Sequence, residues 1–234
     1  MRRALAVAAT VLALVAGAAV TAPAQQVASS TAATPAFRLG GVRVVADAAT
    51  RQVITVNASG GYHAVVALWV KRHGTWARVA RTRGGRIGYG GLVPGEDREQ
   101  GTGTTPIGTY SITETFGNAR APAGARLPFH RVRQGDYWVQ DNRSPYYNQR
   151  RHISRGGFRP RTSEHLPDYG GQYRWSLVID FNRPDPIRHR GAGIFLHVNG
   201  PGATAGCVST PRRFIEQMMS RVRPQAVPVI AIGR

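Results

Sequence analysis

The stretch that decides the fold runs from Gly193 to Pro211 and reads GIFLHVNGPGATAGCVSTP. Its first residues are apolar and predict a short strand that ends at His197. A glycine-rich loop follows, and Cys207 comes directly after it. Thr210 and Pro211 have the form of a helix start, with Thr210 as the N-cap and a proline in the first turn. The stretch therefore predicts a strand, a tight loop and a helix, with Cys207 just before the helix.

The residues after Pro211 support this helix. Apolar side chains recur there at helical spacing, and a proline closes the segment. These residues are Phe214, Ile215, Met218, Met219, Val222 and Pro224.

Most of the remaining chain consists of short β-branched or alternating segments between Gly, Pro and polar turns, a pattern typical of strands. The predicted strands cover residues 42–46, 52–56, 64–70, 76–81, 108–113, 136–140, 175–181, 193–198 and 227–232. His73-Gly74 is the predicted turn of a hairpin, and Pro228 predicts an edge position for the last strand. The sequence predicts a mainly β fold, a sandwich-like mixed β-sheet with one helix following Cys207.

Residues 141–169 form a polar segment that is long for a plain loop and rich in Arg, Pro and Tyr. We expect a lid or platform there. Tyr146 is a candidate substrate contact, as are Tyr147 and Tyr169, although aromatic side chains in such a segment also serve to pack it down. The pair Arg150-Arg151 is either a site for substrate carboxylates or a solvated face.

The first 24 residues have the order of a secretory signal. Two arginines after Met1 precede an apolar run to Val20 and the small-residue site Ala22-Pro23-Ala24. The run is slightly short for a membrane span of about 20 residues, although an uncleaved anchor is the alternative. The predicted organisation is a signal peptide (1–24), a flexible lead-in (25–36) and a single domain (37–234). We expect a secreted protein of the cell wall.

The charge of the chain is strongly basic. It carries 31 Lys and Arg against 12 Asp and Glu, a formal net charge of +19 that falls to +17 without Arg2 and Arg3. A surface of this sign attracts polyanions. For an exported chain these are the anionic polymers of the cell wall. The sequence contains no helix-turn-helix or aromatic-rich motif, so we expect no nucleic acid partner.

Cys207 is the single cysteine of the chain, so it is an inert buried residue, the disulfide partner of another chain, or a reactive thiol. A reactive thiol needs a base or a positive field. His197 is the candidate base, and the predicted helix start adds positive partial charge, so the sequence predicts a thiolate at neutral pH. The amides of Gly206 and Cys207 are candidate oxyanion donors. One His and one Cys are too few for a zinc site.

Two blocks of the sequence resemble a known family. His197 and the later run Thr204-Ala-Gly206-Cys207 resemble the signature of the L,D-transpeptidase catalytic domain (YkuD type). The run from Gly101 to Tyr110, GTGTTPIGTY, is similar to the Thr-Pro-x-Gly-x-Tyr segment of the family, and it lacks the Gly-Lys-Ser/Thr ending of a phosphate loop. The resemblance covers about residues 84–234. Stretches 137–141, 146–148 and 178–182 are similar to secreted actinobacterial members.

This resemblance implies the L,D-transpeptidase fold and a reaction on peptidoglycan stem peptides. Cys207 matches the nucleophile, His197 the base, and the main-chain carbonyl of Val198 the group that completes the triad in some members. Thr204 matches a substrate-binding position. The sulfur would attack a tetrapeptide stem between its diamino acid and terminal D-Ala. An amine of a second stem would then open the thioester to give a 3→3 cross-link. No metal or organic cofactor is implied, and reactivity with β-lactams of the carbapenem class is expected.

Ala205 departs from the family pattern, because many members have a second histidine there, and the spacer between His197 and Cys207 is shorter than usual. Two other functions stay open. Water opening the same thioester would make the protein an L,D-carboxypeptidase, and an inert Cys207 would leave a non-catalytic basic wall-binding protein. Asp180 is a further candidate for orienting His197, with a turn or cap role as its alternative. Residues 37–83 either complete the sheet or form a wall-facing appendage, and the oligomeric state is open.

Overall fold

The computed structural model describes residues 34–234, whose backbone is organised by one large mixed sheet. The predicted signal peptide (1–24) and most of the predicted lead-in (25–36) lie outside the described residues. Ala36, the last residue of that lead-in, already begins the first strand.

Sixteen strands and one α-helix occur in the described residues. The strands are β1 Ala36–Leu39, β2 Val42–Val45, β3 Gln52–Gly60, β4 His63–Arg72, β5 Thr75–Arg86, β6 Leu92–Pro94, β7 Thr105–Ser111, β8 Thr115–Gly117, β9 Phe129–Arg131, β10 Asp136–Trp138, β11 Arg150–His152, β12 Glu164–His165, β13 Ser176–Val178, β14 Phe195–Val198, β15 Val208–Thr210 and β16 Val229–Gly233. The helix, α1, covers Arg212–Arg221. Short 3₁₀ turns lie at Gly95–Asp97, Ile153–Arg155, Pro160–Thr162, Leu166–Tyr169 and Pro224–Ala226.

Eleven strands form the large sheet, in the order β6-β7-β16-β3-β4-β5-β15-β14-β13-β8-β9. The pairs β6–β7, β16–β3, β14–β15 and β8–β9 are parallel and the others antiparallel, so the sheet is mixed. Strands β11, β10 and β12 form a small antiparallel sheet, and β1 and β2 form a hairpin. The prediction of a mainly β fold with a mixed sheet and one α-helix is confirmed.

Apolar side chains of the central strands alternate between two faces, and each face is covered. On one face Val53 and Ala231 pack against Val42 and Val44 of the β1–β2 hairpin. The other face packs against the apolar side of α1. The residues of that second core include Ile54, Val56, Leu68, Phe214, Ile215, Met218, Met219, Ile230 and Ile232. The central sheet therefore lies between a hairpin and a helix.

Within residues 37–83, only the part from Gln52 onward completes the large sheet, where β3, β4 and β5 lie in the middle; β1 and β2 form the separate hairpin that covers one face. The β4–β5 hairpin turns at His73 and Gly74, as predicted. Both residues have positive φ, 48° and 82°, which is the geometry of the tight turn that matches strand twist.

Two local predictions at the C-terminal end are wrong. Strand β16 is central, since it pairs with β3 on one side and β7 on the other. Pro228 lies just before this strand, so its missing N–H falls outside the ladder, and its carbonyl accepts a hydrogen bond from the Ile112 amide at 3.1 Å. The helix also begins later than predicted. Thr210 ends β15, and α1 begins at Arg212 with no side-chain cap.

The polar segment 141–169 contains β11 and β12, which flank β10 in the small sheet. Its last part borders the cleft described below. Within residues 34–234, no helix has the length and apolarity needed to cross a membrane.

Candidate active site

His197 and Cys207 are brought to one cleft by the parallel pair β14–β15. The register aligns His197 with Ser209 and Leu196 with Val208, so Cys207 lies immediately before β15, beside Phe195. The cleft has a volume of about 640 Å³, and both side chains line it. The structure therefore brings the imidazole and the thiol to one cleft, while the hydrogen bonds of the Cys207 sulfur go to Gly193 and Phe195 and not to His197.

The imidazole of His197 is fixed in one orientation. Its Nδ1 lies 2.8 Å from the carbonyl oxygen of Val198, so Nδ1 carries the proton and donates it to that carbonyl. Nε2 is left as the basic nitrogen. The Tyr173 ring meets the imidazole edge-on, with 5.2 Å between centroids. His197 is only 3% exposed, and this burial lowers its pKa to about 4. The ring is therefore neutral at pH 7 and able to accept a proton.

The Cys207 thiol is 9% exposed and has two backbone partners. The sulfur donates to the Gly193 carbonyl at 3.3 Å and accepts from the Phe195 amide at 3.4 Å. Burial raises the pKa of Cys207 to about 12, with a further increase from the charge of Glu164. The amide of Phe195 and the nearby Arg98 oppose this rise without cancelling it.

The prediction of a thiolate at neutral pH is therefore wrong for the free protein. The predicted positive end of the helix is too distant, because strand Val208–Thr210 separates Cys207 from α1. The dipole effect of a helix fades within its first turn. Burial instead favours the neutral form of both the thiol and the imidazole.

The loop before Cys207 is held by hydroxyl groups. The Thr204 hydroxyl donates to the Cys207 carbonyl at 2.6 Å and accepts from the Gly206 amide at 3.2 Å. The Thr105 hydroxyl, from the second block of the sequence, donates to the Gly206 carbonyl at 2.7 Å. Thr204 lines the cleft but also fixes the loop, and the Gly206 amide is already occupied. Of the two predicted oxyanion donors, the Cys207 amide is the better candidate.

Gly206 itself is required by the local packing. Its φ is +127°, and a Cβ at this position would lie 2.8 Å from both Nη2 of Arg98 and the carbonyl oxygen of Thr104. No other residue type fits without moving these groups.

Tyr146 lies outside the cleft, contrary to its predicted role. Its ring lies under the guanidinium of Arg151, with 3.3 Å from the guanidinium carbon to the ring centroid, and against Gly157. Tyr169 lines the cleft and is 38% exposed, so it is the tyrosine of this segment that a substrate would contact. Tyr147 is buried, and its hydroxyl donates to Gln100.

Two other predicted positions are also placed elsewhere. Asp180 accepts a hydrogen bond from Thr113 at 2.9 Å and pairs with Arg183 at 3.2 Å, so its partners do not include His197. Arg150 and Arg151 line a separate basic groove.

Sequence reasoning missed Arg98. Its side chain is 5% exposed and lines the cleft. Nε donates to the Thr104 carbonyl at 2.8 Å and Nη1 to the Arg190 carbonyl at 3.0 Å, while no carboxylate of the described residues lies within ion-pair distance. Burial lowers the pKa of Arg98, and the nearby negative form of Cys207 raises it. The guanidinium is therefore a buried positive charge near Cys207, the candidate nucleophile.

Sequence reasoning also missed Glu164, on β12. Tyr173 donates its hydroxyl proton to Oε1, and Gln140 Nε2 donates to Oε2 at 2.7 Å. Removal from water raises the pKa of Glu164 to about 7, and these two hydrogen bonds limit the rise. The local sequence gives no signal for either Arg98 or Glu164, because both lie in polar segments that look solvated. Within residues 34–234 no group of three His, Cys, Asp or Glu side chains is placed to hold a metal ion.

A family model described as L,D-transpeptidase catalytic domain (YkuD) matches residues 51–230 of the chain. Among solved structures, Bd1075 of Bdellovibrio bacteriovorus is similar, with a TM-score of 0.42 and 15% sequence identity. The likeness covers 80% of this chain and 49% of that protein, so the chain spans about half its length. No curated protein matches the chain at a significant level.

Proposed function

The chain belongs to the L,D-transpeptidase catalytic domain family, and from this premise we propose that it joins peptidoglycan stem peptides by acyl transfer through Cys207. The observation that carries the proposal is the cleft in which Cys207 and His197 lie together. The hydrogen bond from Nδ1 to the Val198 carbonyl leaves Nε2 of His197 free to act as the base.

In the first half of the proposed reaction, the sulfur attacks the carbonyl carbon between the diamino acid and the terminal D-Ala of a tetrapeptide stem. His197 takes the thiol proton at Nε2 as the carbon–sulfur bond forms, and the Cys207 amide binds the oxyanion. The carbon–nitrogen bond then breaks, and His197 gives the proton to the departing amine of D-Ala. The product is a thioester on Cys207.

In the second half, the side-chain amine of another stem attacks the thioester carbon. The amine loses a proton to His197, the carbon–sulfur bond breaks, and the sulfur recovers the proton. The new bond is a 3→3 cross-link. Water in place of the amine would give a tripeptide, which is the carboxypeptidase reaction.

Arg98 supports the formation of negative charge in this cleft. Because the free protein holds a neutral thiol, proton transfer has to accompany the attack. A buried guanidinium beside Gly206 stabilises the charge that develops on sulfur and on the carbonyl oxygen. Its charge has no carboxylate partner in the described residues, so it is available for this purpose.

Reaction with a carbapenem, an acylating mimic of the D-Ala end, tests the proposal. We expect the protein to gain the mass of one carbapenem and Cys207→Ala to gain none. His197→Gln should be acylated on the order of 100-fold more slowly, the usual loss with a general base. A folded wild-type protein that stays unmodified would contradict catalysis and favour the wall-binding alternative.

Product analysis then separates transfer from hydrolysis. With purified tetrapeptide fragments, we expect dimers joined through two diamino residues, and we expect Cys207→Ala to form none. Tripeptides alone, at every concentration of acceptor, would establish an L,D-carboxypeptidase.

We also propose that the protein acts outside the cytoplasmic membrane, in the cell wall. The support is the order of charge, apolar run and small-residue site in residues 1–24, together with the net charge of +17 in the remainder. N-terminal sequencing of the wall fraction should find a chain that begins at or near Gln25.

A further inference from the structure

Glu164 is the one described carboxylate that lines the cleft of Cys207, and no Arg, Lys or His of the described residues lies within ion-pair distance of it. Arg98 and Arg161 line the same cleft, yet neither pairs with it. Of the other eleven acidic residues, six are exposed to solvent and five have a basic partner within ion-pair distance. The five with a partner are Glu114, Asp136, Asp141, Asp168 and Asp180.

The geometry places the Glu164 carboxylate close to the reacting sulfur. A Cβ on Gly193 would lie 3.4 Å from Oε2 of Glu164, and the carbonyl of Gly193 accepts the Cys207 thiol hydrogen bond at 3.3 Å. The strand pair that aligns Glu164 with Trp138 in β10 holds it in this position.

The hydrogen bonds around Glu164 suit a charged carboxylate. Tyr173 donates to one oxygen and Gln140 donates to the other. Both oxygens therefore act as acceptors, which is the pattern of the ionised group. Two neutral donors do not cancel its charge, and a carboxylate that is partly removed from water is costly without a cation. This cost raises the pKa of Glu164 to about 7, so the group is only partly ionised at neutral pH until a cation binds beside it.

Glu164 is also an unfavourable neighbour for the nucleophile, because its charge opposes the formation of negative charge on Cys207. A cation that enters the cleft with the substrate would remove both disadvantages. Stem peptides carry such a cation, the protonated side-chain amine of the diamino residue.

We propose that Glu164, oriented by Tyr173 and Gln140, is the binding position for a protonated stem-peptide amine in the cleft. This inference rests on the proposed function, since it takes stem peptides as the substrates. The amine can belong to the donor stem or to the acceptor stem. An acceptor ammonium must first give one proton to the Glu164 carboxylate, and the neutral amine then attacks the thioester and loses its second proton to His197. By reciprocity, an amine bound to Glu164 also favours the negative charge on Cys207, which couples substrate recognition to activation of the nucleophile.

Binding to the Cys207→Ala protein tests this without turnover. Calorimetry would compare a tetrapeptide stem, which can serve as donor or acceptor, with a tripeptide stem, which lacks the bond to the terminal D-Ala and cannot serve as a donor, each with a free or an acetylated side-chain amine. We expect at least one free-amine stem to bind roughly tenfold or more tightly than its acetylated form, the value of a charge-assisted hydrogen bond. Adding Glu164→Gln should abolish that preference. An effect confined to the tetrapeptide would assign the amine to the donor stem, whereas an equal effect with the tripeptide would show that the D-Ala bond is not needed and would favour the acceptor stem.

The matched control is Glu216→Gln, which removes the same charge from the exposed side of α1. It should keep the amine preference of the Cys207→Ala protein. Equal affinity for free and acetylated stems would overturn the amine site and leave the proposed function standing. A preference for the free amine that persists in the Glu164→Gln variant would also overturn the assignment of the amine site to Glu164. A protein that binds no stem at all would overturn the proposed function, and this inference with it.

Discussion

Burial shifts the pKa values of Cys207 and His197 in opposite directions. The pKa of Cys207 rises to about 12 and that of His197 falls to about 4, so both are neutral in the free protein. A resting thiolate is more prone to oxidation than a neutral thiol. The two charged side chains near Cys207 act in opposite directions on its pKa. Arg98 favours the negative sulfur, and Glu164 opposes it. A positive charge that binds beside Glu164 would therefore favour the negative form of the Cys207 sulfur.

The rate at which Cys207 is alkylated measures the fraction of its thiol that is ionised. Because its pKa is raised, the thiolate fraction of the free protein should grow with pH across the whole neutral range. We expect the alkylation rate by iodoacetamide to rise about tenfold per pH unit from roughly pH 6 to 9, with no plateau. A plateau above neutral pH would show a depressed pKa and contradict the neutral pair. Glu164→Gln should increase the rate at pH 8, because it removes an opposing charge, whereas Glu216→Gln should not.

At the scale of elements, the site depends on the parallel pair β14–β15 and the loop that joins them. The loop is bonded at Thr204, Gly206 and Cys207, and Thr105 of β7 supports it from a distant part of the chain. The two sequence blocks that carry the family resemblance thus meet at one loop. The second block holds the backbone that presents Cys207.

Two glycines of this loop make a matched pair for a test. Gly206 has a positive φ and no room for a Cβ, whereas Gly202 has open space around it. Gly206→Ala should destabilise the fold by on the order of 1–3 kcal/mol and slow acylation by a carbapenem, because Arg98 or the loop must move. Gly202→Ala should resemble the wild type in both. Thermal unfolding and acylation kinetics measure these effects. Wild-type behaviour of Gly206→Ala would show that the loop conformation is not needed.

Local patterns predicted the elements whose determinants lie close together in sequence. The strand that carries His197, the turn at His73 and the apolar face of α1 belong to this class. The position of β16 inside the sheet could not be predicted from its own residues, because it depends on the pairing of β16 with the distant strands β3 and β7. Arg98 and Glu164 were missed for the same reason. Each reaches Cys207 through tertiary packing, from polar segments about 110 and 40 residues away in sequence.

At the scale of the whole molecule, the described residues combine a covered central sheet with a strongly basic surface. All 12 acidic residues and all basic residues except Arg2 and Arg3 lie in the described part, which gives it a net charge of +17. A core held by apolar contacts on both faces of the sheet tolerates this excess, because most of the arginines are exposed or half-buried. The excess positive charge therefore lies at the surface, where it can attract polyanions.

Association with cell-wall polymers should consequently be electrostatic. Screening shortens the Debye length from about 10 Å at 0.1 M salt to about 3 Å at 1 M, so surface attraction weakens steeply over that range. We expect the purified mature protein to sediment with wall sacculi at low salt and to be released at high salt. Cys207→Ala should behave identically, because the attraction does not use the reaction. Sacculi stripped of their anionic polymers should retain much less protein at low salt. Retention that persists at 1 M salt would instead indicate a specific pocket for a wall component, and the basic surface would then need another explanation.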